Sequence, residues 1–229
     1  MVNTNVVKLK LEGGSEGRLP KLMDDTVERA VELFDEGRHD GYPPKSFETY
    51  LRQTSDISVS ERQLQDIVDR IWEKHGDAEN TDDHLGLYVS ALVSSSKHSK
   101  FRIETPKPLN NLGYRLPKGK TLIIGGDAGR HLGSLNAGQI IVKGDAGDYI
   151  GWEMKEGQIL VEGNAGMYVG CYMRSGEIQV RGQADPMVGI NMTGGFIRVG
   201  KLSEGEGISA AYQGGEIWEG NKKVRPKET

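Results

Sequence analysis

QIIVKGDAGDYIGWEMKEG (residues 139–157) is the first of three consecutive segments that share one pattern. QILVEGNAGMYVGCYMRSG (residues 158–176) and EIQVRGQADPMVGINMTGG (residues 177–195) follow it directly, so the repeat is 19 residues long. A copy one residue shorter precedes them at residues 121–138, and a degraded copy one residue longer follows at residues 196–215. A fixed period of about 20 residues predicts a solenoid, in which each repeat stacks on the one before it.

Each copy opens with two apolar residues separated by one variable residue. This Ile-x-Val pattern predicts a short strand with one buried face. The expected buried positions are Leu122, Ile124, Ile140, Val142, Ile159, Val161, Ile178, Val180, Ile197 and Val199. EIWEG at residues 216–220 opens a further unit that is left unfinished. Because the residue between the two apolar ones varies freely, we expect it to face water.

Glycines recur behind each strand as G-x-x-G-x-x-x-G. They are Gly126, Gly129, Gly133, Gly144, Gly147, Gly151, Gly163, Gly166 and Gly170, and Gly182 and Gly189 continue the pattern around Asp185. Glycine adopts backbone angles closed to other residues, so we expect corners at these positions. The repeats contain no helix-period run. The predicted fold is therefore mostly β, a single-stranded solenoid of about five to six coils preceded by an N-terminal α-helical segment.

The recurring glycine pattern with its preceding I-x-V resembles the GXGXG repeat domain over roughly residues 105–220. That domain closes the large subunit of glutamate synthase and also makes up much of one subunit of formylmethanofuran dehydrogenase. The resemblance implies a right-handed parallel β-helix that spaces and docks catalytic domains and carries out no chemistry itself. We therefore expect a helical segment at residues 1–100 and a GXGXG β-helix domain at residues 101–229.

The resemblance implies a non-catalytic structural subunit of an oxidoreductase complex of the glutamate synthase type. One alternative is the equivalent GXGXG component of a formylmethanofuran dehydrogenase complex, and another is a stand-alone β-helix enzyme or ligand-binding protein. Glutamate synthase uses an N-terminal cysteine nucleophile, whereas this chain begins Met1-Val2-Asn3 and its single cysteine, Cys171, cannot ligate an iron–sulfur cluster alone. We expect no cofactor in this chain, and flavin, iron–sulfur or molybdenum/tungsten centres would belong to partner chains.

The composition agrees with a structural component of this kind. The chain has 229 residues, of which 29 are basic and 33 acidic, and this balance creates no general attraction to nucleic acid. No apolar run approaches the length of a membrane span, and the N-terminus lacks the apolar core of a secretory signal. A single cysteine is typical of the reducing cytoplasm. We expect a cytoplasmic protein that contacts other protein subunits or copies of itself, and neither nucleic acid nor membrane.

The pattern changes before residue 100, where apolar residues follow the helix period. Helices are expected at about residues 25–36, 46–51, 61–75 and 83–93. Ser60 and Gln63 would form a capping box at the start of the third. VVKLKLEGG at residues 6–14 predicts a short strand. Residues 101–120 are expected to lead into the first repeat, with FRIE at residues 101–104 as a further candidate strand. The helices could cap the coil stack, pack as a separate module, or do both.

The Gly-x-Ala-Gly corners contain the only candidates for a metal or anion site in the repeats. Asp127 and Asp145 occupy the same place in successive corners, followed by Asn164 and Gln183. Stacked carboxylates can bind calcium, but Asp and Asn also habitually hydrogen-bond turns. Exposed N–H groups of such corners could hold a phosphate, but every repeat has the same turn, which favours a requirement of the fold. We expect no metal site, and Asp127 and Asp145 are the weak candidates if one exists.

His131, Tyr149 and Tyr168 stand at one place in successive repeats and are expected to face outward. They could form a stacked ridge that anchors a protein partner, or an incidental surface row. Cys171 has no histidine in its own or the adjoining repeats and is interpreted as a packing residue. No catalytic residue is assigned. The site of a stand-alone enzyme or binding protein would lie on a solenoid face or in the cleft against the helical segment.

Overall fold

The computed structural model describes residues 24–37, 43–76, 78–204, 207–209 and 211–225, and the strand expected at residues 6–14 lies outside them. The described residues form the helices α1 (Asp25–Gly37), α2 (Pro43–Gln53), α3 (Glu61–His75) and α4 (Thr81–Ser95). They then form the strands β1 (Lys100–Ile103), β2 (Thr121–Ile124), β3 (Gln139–Val142), β4 (Gln158–Val161), β5 (Glu177–Ala184), β6 (Phe196–Leu202), β7 (Glu216–Glu219) and β8 (Lys222–Val224).

These strands form one sheet whose order is the order of the sequence. Neighbours from β1 to β7 are parallel and in register, so that Ile140 pairs with Ile159 and Ile159 pairs with Ile178. Each of the strands β1 to β6 opens one coil, and we number the coils by their strands. The fold is therefore a parallel β-solenoid of about six turns with a few N-terminal helices, as predicted.

The expected strand positions form the core of the solenoid, since all ten are at most 1% exposed. The other two faces of a coil are less regular than expected. On the second face, pairing outside the named strands is reduced to single bridges, which join Ala128 to Ala146, Ala146 to Ala165 and Ala165 to Ala184. These alanines are buried, which explains why the small side chain recurs at this bend.

The candidate strand FRIE is confirmed as β1, but residues 100–120 form a complete first coil instead of only leading into the repeats. Phe101 of β1 pairs with Leu122 of β2. On the far side of the same coil, the carbonyl of Leu112 accepts a hydrogen bond from the N–H of Gly133 at 2.8 Å. The coil is hidden in the sequence because PKPLNN (residues 106–111) stands where later coils have Gly-x-Ala-Gly.

The three glycines of the G-x-x-G-x-x-x-G pattern form three columns along the solenoid, which we number in chain order. Only the third column has backbone angles that favour glycine. Gly151 is in the left-handed region with φ +66°, whereas Gly144 is outside it. A Cβ on Gly144 would lie 2.0 Å from Oδ1 of Asp127 and 3.0 Å from the backbone carbon of Gly126 in the coil before. The first-column glycines Gly126, Gly144 and Gly163 lie at bends as expected, but the first two columns do not use the glycine-only backbone angles that were the expected reason. There, glycine allows successive coils to approach closely.

The turn around each third-column glycine alternates between conformations. Tyr149 and Glu153 are left-handed like Gly151, with φ of 62° and 52°. The N–H groups of these left-handed residues donate to the coils on both sides. Tyr149 and Glu153 donate to coil 4, whereas Gly151 donates to Leu132 of coil 2 at 2.8 Å. The same backbone pattern recurs at residues 111–115, 131–135, 168–172 and 187–191. The last three of these turns are bonded to the coils on both sides, whereas the turn of coil 1 donates to coil 2.

Both ends of the solenoid are covered by other parts of the chain. The helices share one hydrophobic core with the coils, and α3 packs against β1. The predicted capping box at the start of α3 is confirmed, because Ser60 and Gln63 bond each other's backbone N–H groups. At the opposite end, β8 turns back and pairs antiparallel with β7. The helical segment is therefore packed into the same unit as the solenoid and covers its first coil.

Candidate functional site

The structure brings His131, Tyr149 and Tyr168 together on successive coils, and we call them the aromatic ridge. The rings of His131 and Tyr149 are 4.9 Å apart and 9° from parallel. The rings of Tyr149 and Tyr168 are 4.6 Å apart and 13° from parallel. All three residues are partly exposed and lie two positions before a third-column glycine, where the left-handed backbone is held by the coils on both sides. The ridge is thus a rigid, half-exposed aromatic surface.

The surroundings of the ridge favour the neutral form of its histidine. Burial lowers the pKa of His131 below its ordinary value; Arg130 also lowers it, while Asp83 and Asp148 act in the opposite direction. The edge of the Trp152 ring packs against His131 at 6.5 Å. Burial raises the pKa of Tyr149, and neighbouring Tyr168 adds to this. The stacked imidazole and phenol rings offer packing and hydrogen bonds to a partner protein.

The candidate metal residues are used to join coils. Oδ1 of Asp127 accepts a hydrogen bond from the N–H of Asp145 at 2.8 Å, and Oδ1 of Asp145 accepts one from Asn164 at 2.6 Å. Asn164 repeats the contact with Gln183 at 2.9 Å. As expected, these side chains hydrogen-bond turns. Each one, however, bonds the corresponding turn of the next coil and not its own. Among the described residues, no three His, Cys, Asp or Glu side chains are grouped to hold a metal ion.

The N–H groups of the corners are also used between coils. In coil 3, the N–H of Gly144 donates to Gly126, that of Ala146 to Asn164, and that of Gly147 to Ala128, at 2.9 to 3.1 Å. The N–H of Asp145 is taken by Asp127, as described above. The four N–H groups of this corner already have acceptors, which agrees with the expectation that the recurring turn is a requirement of the fold and argues against a phosphate nest there.

A cleft of about 640 Å³ lies between the α3–α4 turn and the first three coils. Trp72, Lys107 and Arg130 line it, and Nζ of Lys107 lies 5.8 Å from the centre of the Trp72 ring. Asn110 bridges the two walls, because its Oδ1 accepts the N–H of Arg130 and its Nδ2 donates to Asp82, both at 2.8 Å. The sequence predicted a cleft against the helices, but could not name its residues because they come from distant segments.

Other polar residues near the cleft have structural contacts. Asp83 accepts a hydrogen bond from Nδ2 of Asn111 at 3.0 Å, which ties the start of α4 to the first coil. Nδ1 of His84 lies 2.9 Å from the hydroxyl of Tyr50 in α2. Cys171 is buried, and burial raises the pKa of its thiol to about 11. A protonated, buried thiol is a poor nucleophile and fits its interpretation as a packing residue.

No protein-family model matches the chain, and a search of curated proteins finds no match. Within the part of the chain that the structure describes, no helix combines the length and the apolar character needed to cross a membrane. The functional interpretation therefore depends on the solenoid, the aromatic ridge and the cleft.

Proposed function

We propose that the chain is a non-catalytic structural subunit whose solenoid holds other protein chains at fixed positions. The observation that carries this proposal is the use of the repeated polar groups. Side chains such as Asp127 and Asp145, which could form a chemical site, instead bond one coil to the next. A stack with such ladders resists bending, and its covered ends hinder the addition of further coils. Both properties suit a spacer of defined length.

The resemblance to the GXGXG domain favours an oxidoreductase complex of the glutamate synthase type as the assembly. The flavin, iron–sulfur or molybdenum/tungsten centres would then belong to the partner chains, and the complex would be cytoplasmic. A formylmethanofuran dehydrogenase complex is the alternative assembly. The catalytic chains that accompany the protein distinguish the two, because flavin and iron–sulfur chains support the first and molybdenum or tungsten chains the second.

The aromatic ridge is the surface that we propose for docking a partner protein. Tyrosine is enriched among residues that dominate binding energy at interfaces. Stacking already restricts the rings of His131, Tyr149 and Tyr168, so that little side-chain entropy remains to be lost on binding. The exposed Tyr172, on the next face of coil 4, offers a matched control because it is 48% exposed and makes no ring stack among the described residues.

The proposal is tested by tagging the protein in its source cell and purifying it under mild conditions. We expect it in a complex with catalytic chains that contain a redox cofactor. Tyr149→Ala combined with Tyr168→Ala should release the partner while the purified chain keeps its melting temperature within a few degrees. Tyr172→Ala should leave the complex intact. Recovery of the wild-type protein alone, with no redox enzyme attached, would contradict the proposal.

The cleft supports a second candidate function, the binding of a small polar ligand. Its volume is within the range of about 300–1,000 Å³ that ligand sites occupy. Lys107 and Arg130 offer cations, Asp82 offers a carboxylate, and Trp72 offers an aromatic wall. A thermal-shift screen of metabolites against the purified chain tests this function. A shift that Lys107→Ala removes and Lys118→Ala, on the exposed surface outside the cleft lining, preserves would support it.

A further inference from the structure

The outer face of the sheet has an aliphatic strip that the fold does not require. Ile123, Ile141 and Leu160 occupy the middle outward position of β2, β3 and β4 and are only half-buried. They are in register, so their side chains form one continuous row. In β5 and β6 the same position holds Gln179 and Arg198. A row of aliphatic side chains confined to three coils is a candidate interaction surface.

Charged residues are arranged around this strip in a self-complementary way. Lys100 in coil 1 and Glu177 in coil 5 occupy the same column along one flank. Glu104 and Arg181 occupy the opposite flank in the same two coils, each also beside an opposite charge of its own chain, Arg102 at 2.8 Å and Glu162 at 3.7 Å. Both pairs are centred on coil 3, which contains Ile141. Within one chain the members of a pair are four coils apart, or about 19 Å, and so cannot contact each other.

We propose that two copies of the chain pack these faces together about a twofold axis that passes through Ile141 parallel to the strands. The rotation places Ile141 against its own copy and Ile123 against Leu160. It also brings Lys100 opposite Glu177 and Glu104 opposite Arg181 of the second copy. Each contact occurs twice, as an isologous interface requires. The aliphatic strip is then covered, and opposite charges meet on both flanks.

A different twofold axis, along the solenoid, would also bring opposite charges together, Lys100 with Glu104 and Glu177 with Arg181. It is disfavoured because it places Arg198 against its own copy. Arg102 would also face its own copy, but Glu104 lies 2.8 Å from it and compensates its charge. Arg198 cannot easily turn away, because it lies 5.5 Å from the ring of Phe196 and 5.6 Å from that of Trp218. The arrangement that we propose brings Lys143 near its own copy, but Glu162 lies 2.7 Å from Lys143 and compensates its charge.

The size of the face predicts a weak dimer. Five strands about 4.8 Å apart and about five residues long give a footprint of roughly 350 Å² per chain. Stable interfaces bury about 800 Å² per partner, so this one belongs to the weak class. We expect a dissociation constant of roughly 10 µM to 1 mM. The aromatic ridge is outside this face, so dimer formation does not depend on the proposed scaffold function.

Analytical ultracentrifugation of the purified chain from about 5 µM to about 1 mM tests the proposal, and we expect a concentration-dependent monomer–dimer equilibrium. Leu160→Arg should raise the dissociation constant at least ~10-fold, because it places a cation in the aliphatic strip. Tyr172→Arg, on another face of the same coil, should change it less than ~2-fold. A monomer at every concentration, or a dimer unaffected by Leu160→Arg, would overturn the proposal.

A charge exchange tests the register independently of the aliphatic strip. Lys100→Glu and Glu177→Lys should each weaken self-association at least ~5-fold, since each places like charges opposite each other twice. An equimolar mixture of the two variants should associate as tightly as the wild type, because each substituted charge then faces its opposite on the other chain. Circular dichroism confirms that both variants are folded. A mixture that stays monomeric would refute this axis, even if each variant weakens the dimer.

Discussion

The side-chain amide of Gln65 in α3 bonds both backbone groups of Glu104 in the first coil. Its Nε2 donates to the carbonyl oxygen at 2.9 Å, and its Oε1 accepts from the N–H at 2.8 Å. One coil further on, equivalent backbone groups are bonded between coils, as when Gly125 donates to Ile103 at 2.9 Å. Gln65 therefore replaces a missing coil at this point, and α3 acts as a cap on the open end.

The cap predicts a small, specific loss of stability on removal of this amide. Gln65→Ala should lower the free energy of unfolding by about 1 kcal/mol, because two partly exposed hydrogen bonds are lost and water replaces them. Arg62→Ala, on the exposed side of the same helix, should stay within about 0.5 kcal/mol of wild type. Urea denaturation measures both. Equal effects of the two substitutions would argue against a capping role for Gln65.

The inward and outward positions of one strand should differ greatly in their tolerance of charge. Val161 is fully buried, so Val161→Asp should destabilise the chain by several kcal/mol or prevent folding. Leu160→Asp, one residue away, should cost less than about 1 kcal/mol because its side chain faces outward. Thermal unfolding of the two variants at low protein concentration makes the comparison. Equal damage would mean that the assignment of the two faces is wrong.

In the first glycine column, Gly126 should tolerate substitution by alanine, whereas the same substitution at Gly144 should be destabilising. Nothing lies within 4 Å of a Cβ on Gly126, whereas a Cβ on Gly144 would overlap Asp127. We expect Gly126→Ala to be neutral within about 0.5 kcal/mol and Gly144→Ala to cost about 1–3 kcal/mol through overpacking. The free energy of unfolding in urea measures both. If both variants are equally stable, the close approach of coils does not explain this glycine column.

The fold was predictable because the repeats show both the 19-residue period and the positions that are buried in every coil. Ile140, Ile159 and Ile178 recur at equal spacing, and the structure pairs them. The first coil was not predictable, since it lacks the glycine corners. Its packing against the second coil also depends on a side-chain hydrogen bond, which the repeat pattern does not show. Oδ1 of Asn110 accepts the N–H of Arg130 there, a contact between residues 20 apart in the sequence.

The candidate site was predictable only where it follows the repeat. The aromatic ridge could be found by aligning the repeats, because its residues share one position. The left-handed backbone of Tyr149 could not, since bulky residues disfavour that conformation and only the bonds to both neighbouring coils maintain it. The cleft joins Trp72, Lys107 and Arg130 from separate segments, so its composition depends on how the helices pack on the coils.

The corner ladder predicts a difference between two substitutions at Asp145. Asp145→Ala removes the acceptor for the N–H of Asn164 and should cost about 1 kcal/mol. Asp145→Asn should retain most of the stability, because Asn164 makes the same contact in the next coil. Calcium at about 5 mM exceeds the dissociation constant of about 1 mM that weak calcium sites have. At this concentration it should not raise the melting temperature of the wild-type protein. A calcium-dependent rise that Asp145→Asn removes would restore the metal-site interpretation.

The most direct test of the stacked coils is a pair of engineered cross-links in a Cys171→Ala background. Gln139 and Gln158 are register partners on adjacent parallel strands, about 4.8 Å apart, which suits the roughly 4.4–6.8 Å that separates the Cα atoms of a disulfide. Gln139 and Glu177 are two coils apart, at about 9.6 Å. We expect mild oxidation to link Gln139→Cys to Gln158→Cys and to leave Gln139→Cys with Glu177→Cys as free thiols, as measured by mass spectrometry. Rapid linkage of the second pair, or none of the first, would contradict a solenoid with this register.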